Sequence, residues 1–133
     1  MKKVFFGFAL ADSMFGSHSV VIDRQILKIE DVAGIVARGV VSCCNPSHQS
    51  TVDAMRARFG LHVGVPETPP RVELSIGDAV IVMGVRGLPR LTDRHEYTDE
   101  EIAQATFIFS MYTVRQAAVP YGFTTDLRHI NNG

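Results

Sequence analysis

A surplus of positive charge is the first thing this 133-residue chain lacks: 13 Lys and Arg stand against 14 Asp and Glu, a formal net charge of −1. A protein that grips duplex DNA by neutralising phosphates needs a cationic excess, so no duplex DNA partner is expected. A small anion held by a few local cations remains compatible with that balance. Cysteine is equally scarce, with Cys43 and Cys44 adjacent and the only two present. Neighbours on a strand point to opposite faces and do not pair with each other, so a reducing, cytoplasmic location is expected. No apolar stretch reaches the length of a membrane span, and no membrane partner is expected. Lys2-Lys3 ahead of residues 4–10 and Ala9-Leu10-Ala11 mimic a miniature signal peptide, but the segment is too short and reads as a buried first strand. His18, His62, His95 and His129 show no paired ligand spacing, so neither metal nor other cofactor is expected. Walker-type loops, dinucleotide fingerprints, paired carboxylates, internal repeats and low-complexity blocks are also missing.

What is present is an ordinary globular composition, 46% hydrophobic and 20% charged, enough for one domain. Residues 39–59, GVVSCCNPSHQSTVDAMRARF, organise it. The small apolar run of residues 40–44 suits a strand covered on both faces, which Asn45-Pro46 ends. Val52, Met55 and Phe59 then recur on one helical face of about three turns, with Arg56 and Arg58 off it. Ser47 or Ser50 is a candidate N-cap, and Ser50 with Asp53 makes a capping-box-like start. His48 is thereby placed after a central strand, at a strand-to-helix turn with unpaired N–H groups and the positive end of a helix dipole. Anions bind in such places.

The rest of the pattern is that of an α/β domain. Residues 4–8 read as a strand, with Gly7 at a close backbone approach, residues 10–15 as a loop or single helical turn, and residues 19–22 as a short strand. Ile29, Val32, Ala33 and Val36 recur at helical spacing, with Arg38 in the last turn and Gly39 as C-cap. Residues 60–71 carry three prolines and read as a surface connection, and residues 71–74 as a strand. Gly77-Asp78 turns into a buried strand over residues 79–85 that ends at Arg86. A charged loop holds Arg90, Arg94 and His95. Thr98 with Glu101 forms a capping box for a helix ending at Gln104, and residues 107–114 form the last strand. Residues 120–133 are polar and weakly patterned.

Alone, His48 is a polar turn residue. Beside Ser47, Gln49, Ser50 and Thr51 it becomes a candidate oxyanion site, although Ser47-His48 adjacency does not make a nucleophile–base pair. Ligands of open α/β sheets gather beyond the carboxyl ends of strands. If the two strands ending near His48 and Arg86 are parallel neighbours, both side chains share one crevice. The arginines of the following loop read as solvated or as further cations.

The N-terminal strand, the VVID strand, the Ser47-His48-Gln49-Ser50-Thr51 turn and the Gly77-Asp78-Ala79-Val80 strand ending in arginine come in a telling order. With Leu91-Thr92 and the Thr98-Asp99-Glu100-Glu101-Ile102 helix, they resemble the viral anti-CRISPR ring nucleases of type III systems, small proteins of viruses, phages and prophages. The resemblance spans residues 3–114 and leaves residues 115–133 as a C-terminal extension. It implies a homodimer with a mixed central sheet flanked by helices, acting in the host cytoplasm. It implies binding of cyclic tetra-adenylate across the dimer and its metal-independent cleavage. His48 and Arg86 take the catalytic positions, and Ala11, Asp12, Ser13, Ser47, Gln49, Ser50 and Arg90 are substrate-contact candidates. Two departures stand out: no glutamate follows Arg86 in Gly87-Leu88-Pro89-Arg90, and Ala11 occupies a position where the family has serine. They leave a non-catalytic sponge as the alternative, and a nucleic-acid-binding viral regulator as a second one.

Overall fold

The computed structural model describes residues 2–117. Its sheet is assembled around β1 (Val4–Gly7), which pairs in parallel with β3 (Val41–Ser42) on one side and β4 (Ala79–Arg86) on the other. Antiparallel to β4 runs β5 (Thr106–Ala117), and antiparallel to β5 runs β2 (Val20–Leu27), giving the order β2-β5-β4-β1-β3. Successive side chains alternate between faces, so Phe5 and Phe6 enter different cores. Phe6, Ile81, Met83 and Phe109 pack beneath Val32 of α1 (Ile29–Arg38) and Val52 and Met55 of α2 (Gln49–Phe59). Phe5, Val80 and Val114 instead meet Val72, Leu74, Met14 and Phe15, so loops cover that face. The protein is thus a mixed α/β sheet with helices, as the pattern of elements led one to expect.

Helix boundaries follow the local signals closely. Gly39 adopts φ 111° and donates its N–H to the Ile35 and Val36 carbonyls, closing α1. Within that helix Ala33 is exposed and Ile35 is part-buried in its place. In α3 (Asp99–Gln104), the Thr98 hydroxyl accepts from the Glu101 N–H and the Glu101 carboxylate accepts from the Thr98 N–H. Arg58 then ties α2 to α3, donating to the Ile102 and Ala105 carbonyls at 2.7 and 2.8 Å. It also lies over the rings of Phe59 and Phe107.

Four expectations need correction. The run at residues 40–44 is not a central strand: β3 has two residues, lies at the sheet edge, and leaves Val41 40% exposed. Its outer side is met by the 60–65 segment, with the Ser42 hydroxyl donating to the Gly64 carbonyl at 2.6 Å. That segment is therefore no surface connection, for Leu61 and Val63 are buried in the helix-side core. Residues 71–74 form no strand beyond one Phe15–Leu74 bridge, yet Val72 and Leu74 seal the opposite face. Finally, β2 runs on to Leu27 and β5 to Ala117, past the expected ends and past the 114/115 boundary. Asp23, Arg24 and Gln25 hide β2 from an apolar pattern, but an edge strand tolerates polar residues. Residues 118–133, most of the expected C-terminal extension, lie outside the described residues.

The start of β1 is held by Asp78, a buried carboxylate in the turn at Gly77. It accepts from the Lys3 N–H at 3.0 Å and the Ser75 N–H at 2.9 Å. Burial alone would raise this carboxyl. The two N–H bonds and the charges of Lys2 and Lys3 outweigh burial and hold it below the usual carboxylate range. A depressed folded-state value stabilises the fold above the unfolded carboxylate range, near pH ~4, and the benefit disappears as pH falls through the folded value. Asp78→Asn should therefore cost about 1–3 kcal/mol at neutral pH. Urea titrations along a pH series should show the gap between wild type and variant closing only below pH ~4.

Candidate functional site

Because β1, β3 and β4 are parallel, their carboxyl ends share one edge of the sheet. The chain leaves β3 through Cys43, whose N–H donates to the Phe6 carbonyl at 2.8 Å. A side chain on Gly7 would bring its Cβ to 3.4 Å from Cys43 Cβ, an ordinary side-chain contact rather than the close backbone approach expected there. Cys44 is buried and Cys43 half-buried, and both are free. Burial raises both thiols, and the neighbouring Cys44 raises Cys43 further, so they stay protonated packing groups rather than nucleophiles.

Asn45 then builds the turn. Its Oδ1 accepts from the N–H and the hydroxyl of Ser47, and Pro46 occupies the first position of a 3-10 turn over Pro46–His48. The His48 ring folds back so that Nδ1 accepts from the Asn45 N–H at 3.4 Å. This is a capping box with histidine where glutamate or glutamine is usual. The other side of the ring rests on Phe8, just past β1, at 4.2 Å between centroids and 40° between planes. With Nδ1 engaged as acceptor, Nε2 is the ring nitrogen left over. Neither Asn45 nor Phe8 was a candidate from sequence. Asn45-Pro46-x-His48 carries the capping signal, whereas the Phe8 contact joins residues far apart in the chain.

Two elements of the expected anion site differ. His48, not Ser47 or Ser50, is the N-cap residue of α2, and its side chain makes no cap bond to that helix. The N–H groups beside the ring are also taken: Ser47 donates to Asn45 Oδ1, His48 to the Asn45 carbonyl and Gln49 to the Pro46 carbonyl. The Ser47, His48 and Gln49 N–H groups are therefore not open to an anion.

Arg86 ends β4 on the same edge, but β1 lies between β4 and β3. Val82 is opposite Gly7, so β4 projects four residues beyond β1, roughly 13 Å at strand rise. Alternation along β4 puts Arg86 on the face of Val80 and Val82, whereas Phe8 beneath His48 belongs to the helix-side core. The two residues thus share an edge without sharing a crevice within one chain. Arg86 and Arg90 have no ion-pair or hydrogen-bond partner among the described residues, while Arg94 is held bidentately by Glu101 at 2.5 and 2.6 Å. The Arg94 guanidinium and the Thr98 N–H hold the Glu101 carboxyl at about 2.

The remaining candidates separate. Ala11 and Asp12 line a hollow of about 270 Å³ with Phe15 and Ser19. Ser13 lines another, about 210 Å³, with Cys43 and Arg71. Gln49 donates to Asp53 at 2.8 Å. Ser50 faces a cleft of about 360 Å³ between α2 and residues 95–99. Among the described residues no group of three or more His, Cys, Asp or Glu is placed to hold a metal ion, and no helix is long and apolar enough to cross a membrane.

The Asn45 turn is the part of this arrangement most open to a stability test. Asn45→Ala should lose about 0.5–2 kcal/mol in chemical denaturation. The His48 ring resonances should broaden or shift at the same time, whereas Asn45→Asp should preserve both.

No family model matches the chain, and no curated protein sequence matches it. Among solved structures it is similar to B116 of Sulfolobus turreted icosahedral virus, at 18% sequence identity, with 84% of this chain and 98% of that chain covered and a TM-score of 0.61. At that identity the likeness is one of fold, shared over nearly the whole viral protein.

Proposed function

We propose that this protein is a metal-independent ring nuclease that opens cyclic oligoadenylate, with cyclic tetra-adenylate the expected ring, and so counters type III CRISPR signalling. The observation that carries the reading is the His48 ring, fixed between Phe8 and the Asn45 N–H at the carboxyl edge of the parallel strands. Support also comes from the ordered motifs resembling viral ring nucleases and from the fold shared with a viral protein. A viral or prophage origin, and hence action in a host cytoplasm, belongs to the same proposal.

The chemistry asks little of the protein beyond position, a proton and charge stabilisation. A ribose 2′-oxygen attacks the adjacent phosphorus as its proton passes to solvent. The bond from phosphorus to O5′ breaks, and O5′ takes a proton from His48 Nε2. The products are a 2′,3′-cyclic phosphate and a 5′-hydroxyl, with no water consumed. As the acid, the ring carries both protons and gives up its long bond to Asn45; the transfer leaves the remaining proton on Nδ1, and the bond to Asn45 returns only once Nδ1 has lost that proton to solvent and Nε2 has taken one up. Arg86 is the phosphate clamp. Because His48 and Arg86 lie on different faces in one chain, a two-fold dimer would complete the site: a cyclic tetranucleotide meets two copies of each residue across such an axis.

A sponge that binds without cutting is the second reading, favoured by the absence of any carboxylate at residues 87–90. A nucleic-acid-binding regulator fits the net charge of −1 poorly.

Single-turnover kinetics with cyclic tetra-adenylate separate these readings. His48→Ala should keep ring binding and lower the cleavage rate by roughly two to four orders of magnitude, and a chelator should leave the wild type unchanged. A wild type that binds the ring and never cuts it is the sponge. Arg86→Ala should weaken binding and turnover together, with a smaller effect for Arg90→Ala, read by calorimetry.

Sedimentation of the wild type with the ring present should show a dimer at micromolar concentration. A monomer would remove the shared site.

A further inference from the structure

Two contacts hold the His48 ring, and they restrain different motions. The Asn45 N–H donates to Nδ1 at 3.4 Å, and the Phe8 ring lies against the imidazole at 4.2 Å between centroids, tilted by 40°. The outer torsion of a histidine side chain is soft and close to two-fold. A half-turn about it exchanges Nδ1 with a ring carbon and sets C–H against the Asn45 N–H. The hydrogen bond therefore chooses between two orientations of nearly the same shape, while Phe8 sets the plane of the ring. Phe8 is itself anchored, because it directly follows β1 and packs half-buried on the helix-side core. On the other side the turn is closed by Asn45, whose Oδ1 accepts from the Ser47 N–H and hydroxyl. The imidazole is thus held from the core and from its own turn at once.

We infer that Phe8 and the Asn45 main-chain N–H are the positioning pair of this site, holding His48 in one orientation as the neutral tautomer with its proton on Nε2. A neutral imidazole has one donor and one acceptor nitrogen, and the hydrogen bond made at one decides where the proton sits. With Nδ1 accepting, the proton belongs to Nε2, which has no hydrogen-bond partner among the described residues. For its consequence in catalysis this rests on the ring-nuclease reading. The proton given to O5′ is then one the fold already keeps on Nε2, and the proton on Nδ1 comes and goes with the Asn45 bond. Placement governs such a transfer, since a displacement of about 1 Å can cost about a hundredfold in rate. Leucine at position 8 keeps apolar contact with the core and offers the imidazole no flat face. Tyrosine keeps both.

Ring-nitrogen NMR of the isotopically labelled full chain reads the pair without any ligand, with His48 assigned by its loss in His48→Gln. At a pH where the ring is neutral, Nδ1 should carry no proton and Nε2 should carry one. The ring protons of His48 should be displaced by the Phe8 ring current, a displacement that Phe8→Leu abolishes and Phe8→Tyr keeps. In single turnover with cyclic tetra-adenylate, Phe8→Leu should lower the cleavage rate about ten- to a hundredfold while half-saturation stays within about threefold, and Phe8→Tyr should restore the rate. A cyclic tetra-adenylate with sulfur in place of each O5′ isolates the cause, because a thiolate leaves without needing a proton. On that ring Phe8→Leu should come within about threefold of the wild type. A proton on Nδ1, no ring-current displacement in the wild type, an undiminished rate in Phe8→Leu, or equal slowing on both rings would overturn the inference. The expected spectra from a protein that leaves the ring uncut keep the positioned imidazole and remove the nuclease; normal cleavage with the proton on Nδ1 does the reverse.

Discussion

The parallel pairing of β1 with both β3 and β4 is the constraint on which the rest depends. It places three carboxyl ends at one edge and makes Phe5 and Phe6 the centres of two separate cores. It also sets the turn after β3 against the residue after β1, which is how Phe8 comes to lie under His48. Holding that pairing together falls to Asp78 at the amino end and to the Cys43–Phe6 backbone bond at the other. The first is a charge satisfied by two N–H donors in a buried turn, worth more there than in water.

Local chemistry was the part most legible in the sequence. The limits of α1 and α3 followed from glycine at a C-cap and from Thr98 with Glu101, since each signal sits within four residues of its effect. Strands were harder. Residues 40–44 are apolar because Val40 and Cys44 reach the helix-side core around a two-residue edge strand, not because a central strand runs through them. Leu61 and Val63 were hidden by the prolines that follow, whose turn signals say nothing of residues three to five positions earlier. In β2, Asp23-Arg24-Gln25 broke the pattern that would have marked a strand.

The site divides along the same line. The polar turn with His48 at its end, and Arg86 at the end of a strand, were both visible from residue order. Their separation onto two faces was not, because it depends on β1 inserting between β3 and β4 and on the alternation along β4. Nor could sequence show that the N–H groups at the turn are already used by Asn45 and Pro46. What emerges is a division of labour: a fixed imidazole at one place, unpartnered arginines at another, and a cleft beside α2.

The central claim is that ring opening is an internal transesterification, with the attacking oxygen drawn from the ring itself. Mass spectrometry of the first product formed in heavy-oxygen water tests it most directly. The account predicts a linear product that elutes apart from the cyclic substrate, has the same mass and contains no heavy oxygen. A first product heavier by one labelled water, or a ring recovered intact after prolonged incubation, would contradict it.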